Sequence, residues 1–513
     1  MRKLLILIMA FSLFGCQEVT DKKSTESPQK MNIIMFLVDD MGWQDSSEPM
    51  WTQETDLNRK FHTPNMERLA DQGMKFTQAY ACAICSPTRV SLMTGMNAAR
   101  HRVTNWTLRK NKTTDHKDKI LSFPEWNMNG LQTVDSIEHT VYATTLPQIL
   151  RENGYFTIHT GKAHFGAINS PGENPLNLGF DMNIAGHAAG APGSYQGLNN
   201  YGNDENGQAI SVWSVPGLEK YHGQDINLSD ALTKEAIIAM DSALKLKMPF
   251  YLYMAHYAVH TPIQPDHRYV EKYYKTGMDS TEAKYASMVE GMDKSLGDLM
   301  DYLENNNLAD HTIILFMSDN GGLSAIGRGG TPNTHNLPLN SGKGSAYEGG
   351  IREPMIVKWP GVSQENSICN NYVMIEDFFP TILEMADIKD YNTIQTIDGQ
   401  SFVQLIKQDS THITHKDLIW HFPNKWGASG PGIGTYSSIR SGDWKLIYYY
   451  KDRHFELYNI RKDIGEKNNL ADKNRNKTKE LATRLSNYLR EVKAQRPTYK
   501  ATNTIAPWPD EVF

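Results

Sequence analysis

Short apolar runs recur along the chain, and each gives way to polar or charged residues. Met31–Val38 (MNIIMFLV), Pro249–Ala255 (PFYLYMA) and Thr312–Met317 (TIILFM) are nearly unbroken. Such runs predict strands covered on both faces, since a strand with one wet face would alternate. Lys75–Tyr80, Tyr155–Thr160 and Pro354–Trp359 read as further strands. Stretches with helical spacing lie between them. Thr63–Ala70 has Thr63 as expected N-cap, Pro64 at the first helical position and Met66, Leu69 and Ala70 on one face, with Gly73 as its stop. Leu146–Asn153, Ala231–Leu246, Ala283–Asn305 and Asp377–Met385 follow. This alternation predicts an α/β fold with a large, mostly parallel sheet flanked by helices.

After Asp387 the pattern changes. Ser438–Tyr450 and Phe455–Ile460 read as antiparallel strands around a Lys451–His454 turn, and Thr478–Lys493 as a helix. The expected organisation is a main unit over 31–409 and a smaller C-terminal α+β subdomain with an antiparallel sheet over 410–513. Two stretches lack a sustained period: 101–142, polar with scattered Trp106, Phe123 and Trp126, and 166–224, rich in Gly, Asn, Pro and Ala. Long loops on an α/β scaffold are more often walls of a site than linkers.

The chain has 513 residues, 40% of them hydrophobic, and a formal charge of −6. A mildly acidic protein with dispersed basic residues has no field that would gather polyanions, so no nucleic-acid partner is expected. Any anionic substrate must be held by a local basic site. Met1-Arg2-Lys3 followed by apolar Leu4–Phe14 has the layout of an export signal, too short to remain as a membrane span. The signal peptide is expected over 1–15 and a polar tether over 16–30. Leu13-Phe14-Gly15-Cys16 resembles a bacterial lipobox, which implies lipidation of Cys16. The protein would then be an exported lipoprotein on the periplasmic side of a membrane or at the cell surface, attached by its lipid alone; a plain secretory signal is the alternative. Setting aside Cys16 and Cys85, only Cys82 and Cys369 remain, and export permits a bridge between them, although buried free thiols fit better.

Candidate chemistry gathers at the ends of the apolar runs. Met31–Val38 delivers Asp39-Asp40, and Thr312–Met317 delivers Ser318-Asp319-Asn320. Adjacent anions at the carboxyl end of a buried strand need a cation, which points to a hard divalent metal. Cys85-Ser86-Pro87-Thr88-Arg89 reads as a turn feeding a helix N-terminus, where free N–H groups and a guanidinium would face an anion. Lys162 and His164 lie two apart and would face one way in an extended segment, although a solvated lysine and a core histidine fit the same letters. His260-Thr261-Pro262 and Ser341-Gly342-Lys343-Gly344 complete the set.

Cys85–Arg89 resembles the Cys-x-Pro-Ser/Thr-Arg signature of the formylglycine-dependent type I sulfatases, within the alkaline-phosphatase-like superfamily. The resemblance runs from Asn32 to about Ala471. It includes Asp39-Asp40, Gly161–His164, His260–Pro262, Asp319–Gly322, Gly342–Pro354, Arg440–Leu446 and Leu457–Asn459, with Ala163 where relatives often carry a bulkier residue. It implies that a formylglycine-generating or anaerobic sulfatase-maturating enzyme converts Cys85 to formylglycine, and that Asp39, Asp40, Asp319, Asn320 and modified Cys85 bind Ca2+, with Mg2+ second. It further implies that one hydroxyl of the hydrated aldehyde attacks sulfur, aided by Arg89. His260 would protonate the leaving oxygen, Lys343 would bind sulfate, and His164, supported by Lys162, would deprotonate the second hydroxyl. The expected substrate is a sulfated glycan such as ulvan, carrageenan or a host glycan, the resemblance being nearest to bacterial polysaccharide sulfatases. The alternatives are a phosphodiesterase or phosphonate hydrolase of the same superfamily, and an inactive glycan-binding lipoprotein.

Overall fold

Strand β1 (Asn32–Val38) is buried along its whole length and splits its side chains between two cores. Ile33, Met35 and Leu37 face one, and Ile34, Phe36 and Val38 face the other. A computed structural model describes residues 30–409 and 417–513 of the chain, and in it this strand lies in a nine-stranded sheet. The other strands are β2 (Met74–Tyr80), β3 (Phe156–Gly161), β4 (Met182–Ile184), β5 (Phe250–Ala255), β6 (Thr312–Ser318), β7 (Arg352–Glu353), β8 (Met355–Lys358) and β9 (Ser367–Met374). Their order is β7-β2-β8-β6-β1-β5-β3-β4, with β9 beside β2.

Helices α1 (Pro64–Asp71), α4 (Leu228–Lys245) and α5 (Ser280–Asn305) cover one face. Helices α2 (Cys85–Thr94), α3 (Leu146–Glu152) and α6 (Phe378–Met385) cover the other. The expected α/β architecture is therefore present. The core of the sheet, β6-β1-β5-β3-β4, is parallel throughout. Strands β7 and β8 run antiparallel, β8 between β2 and β6. The reason is local: the chain passes from the four-residue helix Glu348–Ile351 through β7 into β8, entering at the end at which β6 leaves, with no long crossover helix to carry it back first.

Several expectations are corrected in detail. Thr63 does not cap α1: its hydroxyl accepts from Ser47 N at 2.9 Å, and the helix N-terminus is instead satisfied by Asp293 of α5, which accepts from Asn65 N and Met66 N at 3.1 and 2.8 Å. Stretch 166–224 contains β4, which extends the sheet by one strand. The single strand expected over Ser438–Tyr450 is a hairpin of β11 (Tyr436–Ser441) and β12 (Trp444–Tyr449), turning at Gly442 with φ +56°. With β10 (Leu418–Phe422) and β13 (His454–Asn459) it forms a four-stranded antiparallel sheet, backed by α7 (Arg475–Glu491). Cys82 and Cys369 are free buried thiols. The boundary expected at 410, the signal peptide and Cys16 lie outside the described residues. Among the described residues no helix is long and apolar enough to cross a membrane.

A buried ionic network joins this second sheet to the first. Lys445 Nζ of β12 lies 3.1 Å from Glu348 Oε1 and 2.9 Å from Glu466 Oε1. Glu348 N donates to Glu466 Oε2 at 2.7 Å, and Tyr80 Oη of β2 donates to Glu348 Oε2 at 2.7 Å. Burial pushes the Glu466 carboxyl up to about 7 against the pull of Lys445, and Glu348 beside it adds to the push. A carboxyl whose folded pKa is raised from 4.5 to about 7 contributes stability that is full below 4.5 and is lost as pH rises through 7. The melting temperature of Glu466→Gln should therefore gain on wild type as pH rises from 4.5 to 7, by the equivalent of about 3 kcal/mol at most. A difference that stays flat over that window would mean that Glu466 is ionised throughout.

Candidate active site

Parallel pairing fixes where the functional groups emerge. β1 and β6 are in register from Asn32↔Thr312 to Val38↔Ser318, so Asp39-Asp40 and Asp319-Asn320 leave adjacent strands at the same level. β3 and β5 end level at Gly161↔Ala255, which sets Lys162 on the neighbouring side and starts the segment that reaches His260. Ligand sites of open α/β sheets lie at such carboxyl ends.

Cys85 is the first residue of α2, preceded by Ile84 in extended conformation. Thr88 Oγ1 accepts from Cys82 N at 3.0 Å, which locks the turn before the helix. All ten residues of α2 are buried, which explains why its letters carry no polar face. One turn on, Arg89 is fully buried and donates from Nε to Asp319 Oδ2 at 2.9 Å and from Nη1 to Lys162 O at 2.7 Å.

Three buried carboxylates at the floor each meet a buried cation. Lys162 Nζ lies 2.5 Å from Asp39 Oδ2, Lys343 Nζ 2.5 Å from Asp40 Oδ1, and Arg89 Nη2 2.8 Å from Asp319 Oδ2. Lys343 Nζ is also 3.8 Å from Cys85 Sγ. Burial raises the Asp40 carboxyl, but Lys343, His260 and Lys162 outweigh it and hold the group well below the usual range. Asp39 is held well above that range by burial and by Asp319, against the pull of Lys162. Burial pushes the Cys85 thiol up, so as a plain cysteine it is a poor nucleophile.

The same floor fits a hard cation. Asp39 Oδ1, Asp40 Oδ2 and Asn320 Oδ1 are buried without a hydrogen-bond partner, while Asn320 Nδ2 donates to Asp40 Oδ1 at 2.7 Å. Ligand atoms of Asp39, Asp319 and Cys85 all lie within 4.8 Å of one another. Oxygen donors from carboxylates and a carboxamide suit Ca2+ or Mg2+ and disfavour softer metals.

The two histidines present different nitrogens. His164 Nε2 meets Thr107 O at 2.8 Å, which makes it the N–H; Nδ1 is buried with no partner and keeps its lone pair. Gly190 allows this, since a Cβ there would come within 2.4 Å of the imidazole. His260 Nδ1 lies 2.8 Å from Thr261 O, leaving Nε2 3.6 Å from Asp40 Oδ2. Burial and the neighbouring Lys162 hold His164 well below its ordinary value, and burial and Lys343 push His260 down to about 3.

A cavity of about 390 Å3 opens above Cys85, with His164, His260 and Lys343 on its lining. The expected site residues thus converge, with two corrections. Lys162 does not line the cavity and does not bond to His164: the chain turns at Gly161 (φ +96°) and at His164 (φ +55°), which sends the lysine down to Asp39 and the imidazole across to Thr107. Its effect on His164 is through charge alone. The long loops do form walls, 101–142 giving Trp106 and His116 and 166–224 giving Gly190, Ala191 and Trp213. The sequence reading missed Trp213 and Trp426, the latter brought by the segment following β10. Their one signal was the presence of indoles in aperiodic polar stretches.

The Sulfatase family model matches residues 31–388, and a model described as N-sulphoglucosamine sulphohydrolase, C-terminal, matches 342–495. A sulfatase of Formosa agariphila is 29% identical over 97% of this chain and 95% of its own length. The N-acetylgalactosamine-6-sulfatase of Mus musculus is 29% identical over 82% and 80%. Among solved structures, Ps i-CgsB in complex with k-i-k-neocarrahexaose matches with a TM-score of 0.68 at 27% identity, over 90% of this chain and 93% of that one. With the converging acidic, basic and histidine groups at the strand ends, these matches establish that the chain belongs to the Sulfatase family, hydrolases of sulfate esters on an alkaline-phosphatase-like fold.

Proposed function

We propose that the protein removes sulfate from a sulfated carbohydrate, using formylglycine derived from Cys85 and a calcium ion. The observation that carries the reading is the position of Cys85 at the head of a buried helix, between the three carboxylate–cation pairs below and the cavity with two differently presented histidines above. Formylglycine, made by a maturing enzyme, would supply a geminal diol with one hydroxyl to attack sulfur and one to restore the aldehyde. Asp39, Asp40, Asp319 and Asn320 would hold Ca2+, which would supply positive charge beside the sulfuryl oxygens and the diol when bound.

The chain's own groups do the rest. Lys343, on the cavity lining, would bind the sulfate group, while Arg89, buried below and paired with Asp319, would help to polarise the attacking hydroxyl; in a buried site such charges act strongly. His260 lines the cavity with its Nδ1–H donated to Thr261 O, so Nε2, 3.6 Å from Asp40 Oδ2, would first have to take up a proton before passing it to the departing sugar oxygen. His164, with its Nδ1 lone pair fixed by the Thr107 carbonyl, is placed to take a proton from the diol. The neocarrahexaose bound to a relative supports a glycan substrate. A phosphonate monoester hydrolase of Agrobacterium radiobacter shares the fold at 18% identity, so sulfate and phosphonate monoesters must be compared on the same preparation.

Cys85→Ala should abolish turnover with an unchanged melting temperature, and peptide mass spectrometry of active enzyme should find the aldehyde at position 85. Full activity with only the thiol present would reject the proposed nucleophile.

His260→Ala should lose roughly a hundred- to ten-thousand-fold on a sugar sulfate, whose alkoxide leaves poorly, and far less on an activated aryl sulfate. His164→Ala should lose a similar factor on both. Equal losses for His260→Ala on the two substrates would remove it as the acid and leave Lys343 next in line.

We further propose that Cys16 carries the lipid that anchors the exported protein, as its lipobox-like context implies. A fatty-acid analogue should label the wild type and not Cys16→Ala; equal labelling of both would reject the anchor.

A further inference from the structure

The cavity above Cys85 has a lining that selects the charge of the sugar it takes. Three indoles wall it: Trp106, Trp213 and Trp426. Each wall is held by contacts to its backbone or ring. Thr114 Oγ1 donates to Trp106 O at 2.6 Å, and Gly193 N donates to Trp213 O at 2.6 Å. Trp426 lies against Gly344, where a Cβ would come within 2.3 Å of its ring, and Lys343 Nζ sits 6.0 Å from the ring centroid. The loop carrying Trp106 is tied to the strand of chain carrying Trp426, because His116 N donates to Lys425 O at 3.0 Å. Walls held in this way are formed before any ligand arrives, and flat apolar rings suit the C–H face of a pyranose.

Among the described residues on the lining, Lys343 is the one lysine or arginine. Arg89 and Lys162 lie beneath Cys85, committed to Asp319 and Asp39. The fixed cationic capacity is therefore concentrated at the point where one sulfate ester must sit, and the walls elsewhere offer mainly indoles, Leu323 and Ile326, with His116 and Thr261 as their polar side chains. With a net charge of −6 the protein has no general field to offset a further anion. A second charge on the bound ring would be desolvated against largely apolar walls with no lysine or arginine to pair it and only His116 and Thr261 to meet it, an arrangement that discriminates against it. A cavity of about 390 Å3 is at the small end of ligand pockets, room for one ring and its ester within the walls.

We propose that this cavity takes an uncharged pyranose bearing a single sulfate ester, stacked between indoles, and excludes a ring with a second sulfate or a carboxylate. The proposal rests on the sulfatase reading of Cys85 and deepens it by naming the sugar class.

The test uses full-length enzyme whose aldehyde at position 85 has been verified by mass spectrometry. Sulfate release is measured on methyl hexoside monosulfates, on the corresponding disulfates and on monosulfated methyl uronosides, each as a set of positional isomers. The best monosulfate should exceed every doubly charged ring in kcat/KM by about a hundredfold. Trp213→Ala should raise KM for that monosulfate about tenfold with kcat less affected, and Trp213→Phe should restore most of it. A disulfate or uronoside used as well as the best monosulfate would overturn the charge selection, and an unchanged KM in a folded Trp213→Ala would overturn the stacking. No sulfate release from any ester by the verified aldehyde form would instead overturn the sulfatase reading of Cys85, and this proposal with it.

Discussion

The in-register parallel pairing of β1 and β6 is the constraint on which the rest depends. It carries Asp39, Asp40 and Asp319 out of two apolar strands at one level, so three carboxylates are buried together. Like charges desolvated at such range cannot coexist without compensation. The fold answers with one buried cation per carboxylate, drawn from three distant points of the sequence: Arg89 on α2, Lys162 after β3 and Lys343 in a glycine-rich turn. The orphaned oxygens that remain on Asp39, Asp40 and Asn320 define a hard-cation seat in the same space. Charge balance thus gathers the elements around Cys85, and the apolar strands make that balance necessary.

A second layer of organisation turns this floor into a site. Ser86 on α2 accepts from Thr107 N at 3.1 Å, and the carbonyl of Thr107 fixes the tautomer of His164. Ser86, beside Cys85, thereby orients His164 through a loop more than twenty positions away. The segment following β10 contributes Trp426 to the lining, and the C-terminal sheet is held against the main sheet by Lys445, Glu348 and Glu466. Floor, His164 and walls therefore come from different parts of the chain, and the floor and His164 are locked by buried polar contacts. Such contacts are weak sources of net stability but strong sources of unique geometry when every member is satisfied.

The sequence by itself determined the main strands, because a fully buried strand needs an unbroken apolar run, and it pointed to Asp39, Asp40, Asp319 and Asn320, because polar groups that end such runs have few structural uses; the roles of Arg89, Lys162, His164, His260 and Lys343 were legible only through the family's motifs. It also placed Cys85 at a helix start, from Pro87 and the residues around it. Only the tertiary structure decided what those groups touch. Lys162 and His164, adjacent but for one residue, part company because Gly161 and His164 adopt positive φ, a conformation their letters do not encode. Asp293 displaces Thr63 as the cap of α1 from far along the chain. The direction of β8 follows from where its connection enters, and the indole walls follow from how aperiodic loops lie on the sheet. Periodicity reports burial against a neighbour, and a loop side chain whose function is to face a ligand leaves no period to read.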